Sequence, residues 1–227
     1  DAWGWGRATF SGGTRLTLND RWGNTVSPSL GVALLARDDL HLRGAFGRGF
    51  RAPSFKELAW DFANVGAGYT IRGFAGLEPE HSWSSSFGID WALSSSLRLT
   101  GEAYNNDISD LIEFAFVGND PSGLLIYSPR NVSRARTRGL EASASARLGL
   151  MRLNADYAFL DARSIDDDVA LDRRARHSGR VRVGTDIGIL DGMGLDFTVH
   201  LTGDAPLIGT DSLGQPAEIG TQEALVS

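Results

Sequence analysis

The chain has 227 residues, 42% hydrophobic and 22% charged, which is enough for one large or two small folded domains and too apolar for disorder. A formal net charge of −6 argues against a nucleic-acid-binding surface, and the lack of cysteine excludes disulfide bonds and thiolate metal sites. The longest uncharged run, residues 22–36, is too short for a membrane-spanning helix and contains Pro28.

Apolar and polar residues alternate through most of the chain, and no helical periodicity of useful length accompanies them. Alternation with a period of two is typical of a strand, because successive side chains of a strand point to opposite faces. The pattern predicts an all-β fold, an antiparallel up-and-down meander of about ten long strands. The predicted strands cover approximately residues 3–10, 14–22, 29–34, 40–50, 81–93, 97–113, 140–147, 152–159, 180–189 and 195–202.

The connections between these strands fall into two classes by length. Short turns are predicted near residues 11–13, 37–39, 94–96, 149–151 and 190–193. Long loops are predicted over residues 51–80, 117–133 and 164–175. A short connection near 23–25 is an exception to the alternation, and residues 203–227 are predicted to be a loop. Short turns at one end of the strands and long loops at the other are typical of outer-membrane barrels.

A soluble β-sandwich also alternates apolar and polar positions, so alternation alone leaves two architectures open. Several segments here keep the alternation for about ten residues, which is longer than most sandwich strands. Aromatic residues lie largely near segment ends, where the interfacial girdles of a barrel are found. These residues are Trp3, Trp5, Trp22, Phe46, Trp83, Trp91 and Phe114. The pattern therefore favours a transmembrane barrel.

The alternation also predicts which side chains face lipid and which face the barrel lumen. The predicted lipid-facing residues are Leu97, Leu99, Leu153, Tyr157, Val181, Val183, Phe197 and Val199. The predicted lumen-facing residues are Arg98, Glu102, Asn154, Asp156, Arg182 and Asp196.

Few motifs in the chain point to chemistry. Residues 47–52 match G-x-G-x-x-A, but a dinucleotide fingerprint needs a helix next, and Pro53 in a glycine-rich loop offers none. Asp166, Asp167 and Asp168 form a weak calcium candidate, because clustered carboxylates suit a hard cation. The favoured alternative is a solvated acidic loop. No catalytic residue, no cofactor and no other metal site is predicted.

Several stretches, taken in order, carry a family resemblance. They are RGAFGRGFRAPSFKEL, LEPEHSWSSSFGIDW, YNNDISDLIEF, NVSRARTRGLEASA, YAFLDARS and LDRRARHSGRVRV. Together they resemble the C-terminal half of a TonB-dependent outer-membrane receptor, most nearly the cobalamin-receptor and siderophore-receptor branch. The resemblance covers about residues 14–190.

The resemblance implies a plugged barrel of about 22 strands that binds metal chelates or cobalamin outside the cell and imports them. In such receptors the motifs at residues 51–53 and 78–80 flank an extracellular loop, and residues 131–141 re-enter the barrel wall. The implied partners are an iron–siderophore or cobalamin-type ligand, the TonB energy-coupling protein reached through the plug, and outer-membrane lipid. The implied location is the bacterial outer membrane.

We expect no plug domain, energy-coupling box or closing strands within residues 1–227, which is a departure from that family. We therefore expect residues 1–227 to form a single domain, part of a receptor barrel, and to build an open curved sheet rather than a closed one. The main hypothesis is a transporter and not an enzyme. The alternatives are a complete ten-stranded outer-membrane barrel, which could be an enzyme, and a soluble β-sandwich binding module.

The loop over residues 51–80 is predicted to line the extracellular entrance. Aromatic rings there offer stacking surface and arginines offer positive charge to a large, often anionic chelate. The predicted ligand-binding residues are Arg51, Trp60, Phe62, Tyr69 and Arg72. The alternative is that this loop only packs on its neighbours.

Overall fold

The computed structural model describes residues 2–186, 194–210 and 216–226 of the chain. In chain order its elements are β1 (Ala2–Trp5), β2 (Ala8–Thr17), β3 (Thr25–Arg37), β4 (Leu40–Arg51), α1 (Phe55–Ala59), β5 (Asp61–Asn64), a 3₁₀ turn (Val65–Ala67), β6 (Tyr69–Arg72), β7 (Glu80–Ser94), β8 (Leu97–Asn119), β9 (Leu125–Leu148), β10 (Met151–Ser164), β11 (His177–Asp186), β12 (Gly194–Thr202), β13 (Ala205–Thr210), β14 (Pro216–Gln222) and β15 (Leu225–Val226). Within these ranges, no helix has the length and apolar character needed to span a membrane.

Strands that follow one another along the chain pair antiparallel in one long sheet. Its order is β1-β2-β3-β4-β7-β8-β9-β10-β11-β12-β15. Strands β5 and β6 form a hairpin within the connection from β4 to β7, and β6 pairs in parallel with the start of β9. Strands β13 and β14 form a separate two-stranded sheet. The predicted all-β antiparallel meander is confirmed.

The predicted turn at residues 11–13 is wrong, because these residues lie inside β2. The chain turns earlier, at Gly6, whose φ of 58° favours glycine. A Cβ at Gly12 would make ordinary contacts, at 3.6 Å from both the Leu30 side chain and the ring of Trp3. With this correction, residues 18–24 become a long connection, and the short one near 23–25 disappears. The short turns of the described residues then lie at one end of the sheet, which we call the short-turn end, and the predicted turn at 190–193 lies outside the described residues.

Two predicted loops are largely strands. Residues 117–133 were expected to be a loop, but β8 and β9 have 23 and 24 residues and leave only 120–124 between them. Residues 203–227 were also expected to be a loop, yet they contain β13, β14 and β15. These strands lack the long alternation of apolar and polar residues that marks the others, so their sequences resemble those of loops.

The register shows that the two predicted rows lie on opposite faces of the sheet. One row of directly paired residues crosses five strands: Leu97, Ala146, Leu153, Val183 and Phe197. The adjacent row is polar: Arg98, Ser145, Asn154, Arg182 and Thr198. We call the first the apolar face and the second the polar face. On the polar face, Arg180 pairs with Asp156 at 2.7 Å and Arg182 with Asp196 at 3.1 Å.

The sheet is open, as predicted. Among the described residues, β1 pairs only with β2, and no ladder joins β1 to β12. A closed ten-stranded barrel would need such a ladder. A sandwich would need a second large sheet packed on the first, and the sheets found within the described ranges are the long one and the β13–β14 hairpin.

A small apolar cluster lies on the polar face, at the end of the sheet opposite the short turns. Its buried members are Ala135, Ala162 and Leu171, and Ile108 and Leu111 pack against it. Leu171 follows β10 and donates its backbone N–H to the carbonyl of Ala162 at 2.9 Å. The loop between β10 and β11 therefore folds back over the polar face.

We expect an arginine on the apolar face to destabilise the protein strongly. Val181 lies in the middle of the apolar rows, and placing a cation there should cost about 2–4 kcal/mol if that face meets lipid. Urea titration of Val181→Arg in lipid vesicles measures the loss. The matched control is Thr100→Arg on the polar face, where Asp90 is the cross-strand neighbour. Equal losses in the two variants would contradict the assignment of the faces.

Candidate ligand-binding loop

The connection from β4 to β7 is anchored at its base by Arg51, the last residue of β4. The Arg51 guanidinium donates through Nε to Oε2 of Glu80 at 2.6 Å and through Nη1 to both carboxylate oxygens of Glu57 at 3.0 Å. Glu80 begins β7, and Glu57 lies in α1. One side chain therefore ties the start of the loop to its end and to its helix, and the sequence motifs at both ends of the loop meet at this point.

A second set of hydrogen bonds joins the end of the loop to the neighbouring strands. The Asn131 amide accepts from the backbone N–H of Glu78 at 2.9 Å and donates to the carbonyls of Glu78 at 2.9 Å and Asp110 at 2.6 Å. The Glu80 carboxylate also accepts from the backbone N–H of Ile112 at 2.8 Å. These side chains supply hydrogen bonds where the pairing of β7 with β8 ends, while β8 and β9 remain paired.

Helix α1 is short but fully capped. Ser54 accepts from the backbone N–H of Glu57 at 3.3 Å, and the Glu57 carboxylate accepts from the backbone N–H of Ser54 at 2.6 Å, which is a capping box. Partial burial alone would raise the pKa of Glu57. The hydrogen bonds from Ser54 and the charge of Arg51 outweigh that effect and lower the pKa below 4.5.

The hairpin of β5 and β6 adds two strands to the long sheet beside the start of β9. Tyr69, Thr70 and Ile71 align in parallel with the first residues of β9, and the backbone N–H of Leu125 donates to the carbonyl of Gly68 at 3.0 Å. Backbone pairing therefore fixes this part of the loop against β9. We call the four strands β5, β6, β9 and β8 in this region the blade.

One face of the blade is aromatic. Directly paired residues on this face come from all four strands: Phe62, Ile71, Tyr127 and Phe116. Trp60 stacks on Phe62 with 5.4 Å between ring centroids, and Tyr69 meets Tyr127 edge-on at 6.4 Å. Three of the predicted ligand-binding residues, Trp60, Phe62 and Tyr69, thus lie together, and the rings of Trp60 and Phe62 are exposed.

The other face of the blade lies on the same side as the polar face of the sheet, and we call it the inner face. Asp110 has a φ of 60°, and this residue shifts the alternation, since Ile108 and Leu111 both reach the apolar cluster. Glu113 lies two residues after Leu111 and pairs with Arg130, so both side chains are on this inner face. Arg130 is exposed, and its guanidinium forms no ion pair or hydrogen bond within the described ranges.

Arg72 lies on the inner face and not with the aromatic residues. Thr70 aligns with Ile126, an even number of residues from Arg130, and Arg72 follows two residues after Thr70. Thr70 is 3% exposed, and its hydroxyl has no hydrogen-bond partner in the described part of the chain. Arg72 is exposed, and its guanidinium has no hydrogen bond or ion pair within 4 Å among the described residues, although its charge helps to lower the pKa of Asp120.

The structure therefore divides the predicted set into three groups. Arg51 is engaged by two carboxylates, the aromatic residues share one face, and Arg72 is on the other. Sequence reasoning missed Tyr127, Phe116 and Arg130, because all three lie in or beside the segment predicted to be a loop. The alternation of Phe114 and Phe116 was the available signal for a strand there.

The calcium candidate gains no support from the geometry. Asp166 accepts from Arg134 at 2.8 Å, Asp167 from the Ser164 hydroxyl at 2.9 Å, and Asp168 from Arg163 at 2.8 Å. The three carboxylates therefore serve separate partners. Nowhere in the described ranges do three acidic or histidine side chains converge to hold a metal ion.

Comparison with known families identifies the sheet. The family model described as "TonB dependent receptor-like, beta-barrel" matches residues 1–213. The chain belongs to this family. TonB-dependent receptors are bacterial outer-membrane β-barrel proteins, which confirms the predicted location and places lipid against the apolar face. The family consists of transporters and receptors, and this confirms the prediction that the chain is not an enzyme.

The relatives have several named functions. The vitamin B12 transporter BtuB of Vibrio vulnificus (strain YJ016) is 31% identical over 150 residues, 66% of this chain and 22% of that protein. The ferric enterobactin receptor of Pseudomonas aeruginosa superposes with a TM-score of 0.76 at 19% identity, over 97% of this chain and 34% of the receptor. The copper transporter OprC superposes with a TM-score of 0.75 at 19% identity, over 99% of this chain and 36% of that protein. The chain thus spans between 22% and 36% of the length of these three proteins.

Protonation of Glu57 should loosen the base of the loop. The pKa of Glu57 is lowered below 4.5 in the docked loop, so its contribution to docking is complete above pH 4.5 and is lost as the pH falls through the lowered value. The rate of pepsin cleavage within residues 52–79, measured on both sides of pH 4.5, should rise on acidification. The control Glu57→Gln keeps an acceptor for Ser54 but cannot titrate. Identical pH profiles for the two proteins would refute the role of Glu57.

Removal of the Asn131 amide should release the end of the loop. Asn131→Ala leaves three backbone groups without their partners, and each such group costs about 1–3 kcal/mol when it is buried. Hydrogen exchange at the Glu78 amide should accelerate, and Asn131→Asp should give a smaller effect because it keeps one acceptor. The control is Asn105→Ala on β8, which removes one side-chain hydrogen bond, to Asp107, at a distance from the loop. An unchanged exchange rate of the Glu78 amide in Asn131→Ala would show that the Asn131 side chain does not hold the end of the loop.

Proposed function

We propose that the chain is part of an outer-membrane receptor that takes up a scarce metal chelate of the siderophore type, or cobalamin, with energy supplied through TonB. The relatives named above include a vitamin B12 transporter and a ferric enterobactin receptor, which supports this range of ligands. Residues 1–227 would form a single domain within the barrel wall. The plug and the strands that complete the barrel would come from outside these residues.

The observation that carries the proposal is the anchored blade. Receptor barrels have short turns on the periplasmic side and longer loops outside, so the blade stands at the extracellular opening. A wall needs only neighbouring strands, yet here Arg51, Asn131 and a parallel ladder hold an extra hairpin in place. Rigid support of this kind suits a surface that must present side chains in fixed positions.

The inner face of the blade has the chemistry for an anionic ligand. Arg72 and Arg130 have unused N–H donors there, and guanidinium groups bind carboxylate or catecholate oxygens through charge-assisted hydrogen bonds. Trp60, Phe62 and Tyr69 on the aromatic face offer stacking surface to a ligand that reaches the rim of the blade. We assign Arg51 to holding the loop, because its guanidinium is already occupied by Glu57 and Glu80.

Calorimetric titration of the full-length protein in detergent with ferric enterobactin and with cyanocobalamin tests the proposal. We expect one of the two to bind with a Kd of about 1 μM or tighter. The double variant Arg72→Gln/Arg130→Gln should weaken that binding by about tenfold or more, since hydrogen bonds to charged groups contribute about 1.5–3 kcal/mol.

The control variant is Arg147→Gln, an arginine at the short-turn end of β9, which should leave the affinity unchanged. The pair Trp60→Ala/Phe62→Ala tests the aromatic face. If only the aromatic pair weakens binding, the ligand contacts that face instead of the inner one. If neither chelate binds, the proposed function is wrong.

A further inference from the structure

The apolar face of the wall changes its chemistry abruptly toward the extracellular end. The last mainly apolar row is Phe87, Ala103, Leu140, Phe159 and His177. Two residues further along each strand lies the row Ser85, Asn105, Arg138 and Asp161. Two residues further again lies the row Arg48, Trp83, Asp107, Arg136 and Arg163. We call these last two rows, with Arg134, Asp166 and Asp168 beside them, the outward belt.

The outward belt points away from the lumen. Arg136 and Arg138 lie on β9 at even spacing from Leu140, which belongs to the lipid-facing rows, so all three side chains leave the same face. Two residues advance about 7 Å along a strand, which puts the belt about 7 and 14 Å beyond the last apolar row before strand tilt is considered. That distance corresponds to the headgroup layer of the membrane and not to its hydrocarbon core.

The guanidinium groups of the belt are held in place by carboxylates. Arg138 Nη2 contacts Asp161 at 3.2 Å, and Arg163 contacts Asp161 at 3.3 Å and Asp168 at 2.8 Å. Arg136 pairs in the same way with Asp107. These contacts use one or two of the five N–H donors of each arginine, and the Arg138 side chain keeps 53% of its surface exposed. The remaining donors are oriented outward on fixed side chains.

The belt is positive, in contrast to the chain as a whole. Within the described ranges it contains five arginines, Arg48, Arg134, Arg136, Arg138 and Arg163, and four aspartates, Asp107, Asp161, Asp166 and Asp168. Its net charge is therefore plus one, whereas the chain has a formal net charge of −6. Arg48 has no carboxylate partner in the described residues and lies over the ring of Trp83 at 6.0 Å.

We propose that the outward belt binds the phosphate groups of a lipid headgroup in the outer leaflet of the membrane. Guanidinium forks match phosphate oxygens in geometry and charge, and carboxylate-bound arginines lose little freedom on binding. The belt continues the lipid-facing rows without a break, so its neighbour at that height is the headgroup layer. A protein partner would have to displace lipid from the same strands.

Native mass spectrometry of the full-length protein, titrated in detergent with bis-phosphorylated lipid A, tests the proposal. The triple variant Arg136→Gln/Arg138→Gln/Arg163→Gln should bind this lipid about tenfold more weakly, because charge-assisted hydrogen bonds are lost. The matched control, Arg98→Gln/Arg180→Gln/Arg182→Gln, removes three carboxylate-paired arginines from the polar face and should change binding by less than about twofold. The single variant Arg138→Gln should also weaken lipid binding, by a smaller factor. It replaces the triple variant in this test if the triple variant does not fold.

Two further measurements identify the source of the phosphate. Lipid A without its phosphates should bind the unaltered protein about tenfold more weakly, and inorganic phosphate at the same concentration should not displace the lipid. Equal effects of the two triple variants would overturn the proposal, as would equal binding of dephosphorylated lipid A. Full displacement by inorganic phosphate would show a free-anion site rather than a lipid site.

Discussion

The wall depends on one constraint: a strand in hydrocarbon must find every hydrogen-bond partner on the strands beside it. The paired strands from β2 to β12 meet that demand within the described ranges, with register shifts only near strand ends, and they fix which side chains can meet lipid. A shift by one residue would exchange the row of Leu97 with that of Arg98. The separation of an apolar face from a charged face therefore follows from backbone pairing, and the ion pairs on the polar face are its consequence.

Outside the membrane, backbone groups no longer need a partner on a neighbouring strand, and side chains form some of their hydrogen bonds instead. The pairing of β7 with β8 ends near Glu80, and there Asn131, Arg51 and Glu80 itself bind backbone groups and charges that this ladder no longer satisfies. These are the residues of the loop-flanking motifs. Their position explains why such motifs sit at the boundary between wall and loop, where a polar side chain must complete what strand pairing leaves open.

The sequence predicts the membrane wall well and the extracellular part poorly. Alternation is strict where one face meets lipid, so the rows of Leu97 and Arg98 could be assigned without a structure. Residues 117–133 lack a long alternation of apolar and polar positions, so their strands could not be recognised from the sequence. The first turn was misplaced because glycine is common in turns, whereas Gly12 and Gly13 lie inside β2. The division of Arg72 from the aromatic residues depends on pairing with β9, a contact between distant parts of the chain.

The parallel alignment of β6 with β9 has a mechanical consequence. Tyr69, Thr70 and Ile71 are joined to a strand that continues without interruption into the wall, so the hairpin is stiff along the direction of that strand. A force applied at the hairpin would load several backbone bonds simultaneously and would not be absorbed by a flexible linker. The hairpin therefore either stays in place or detaches as a unit, and its motion should be slow and cooperative compared with that of a free loop.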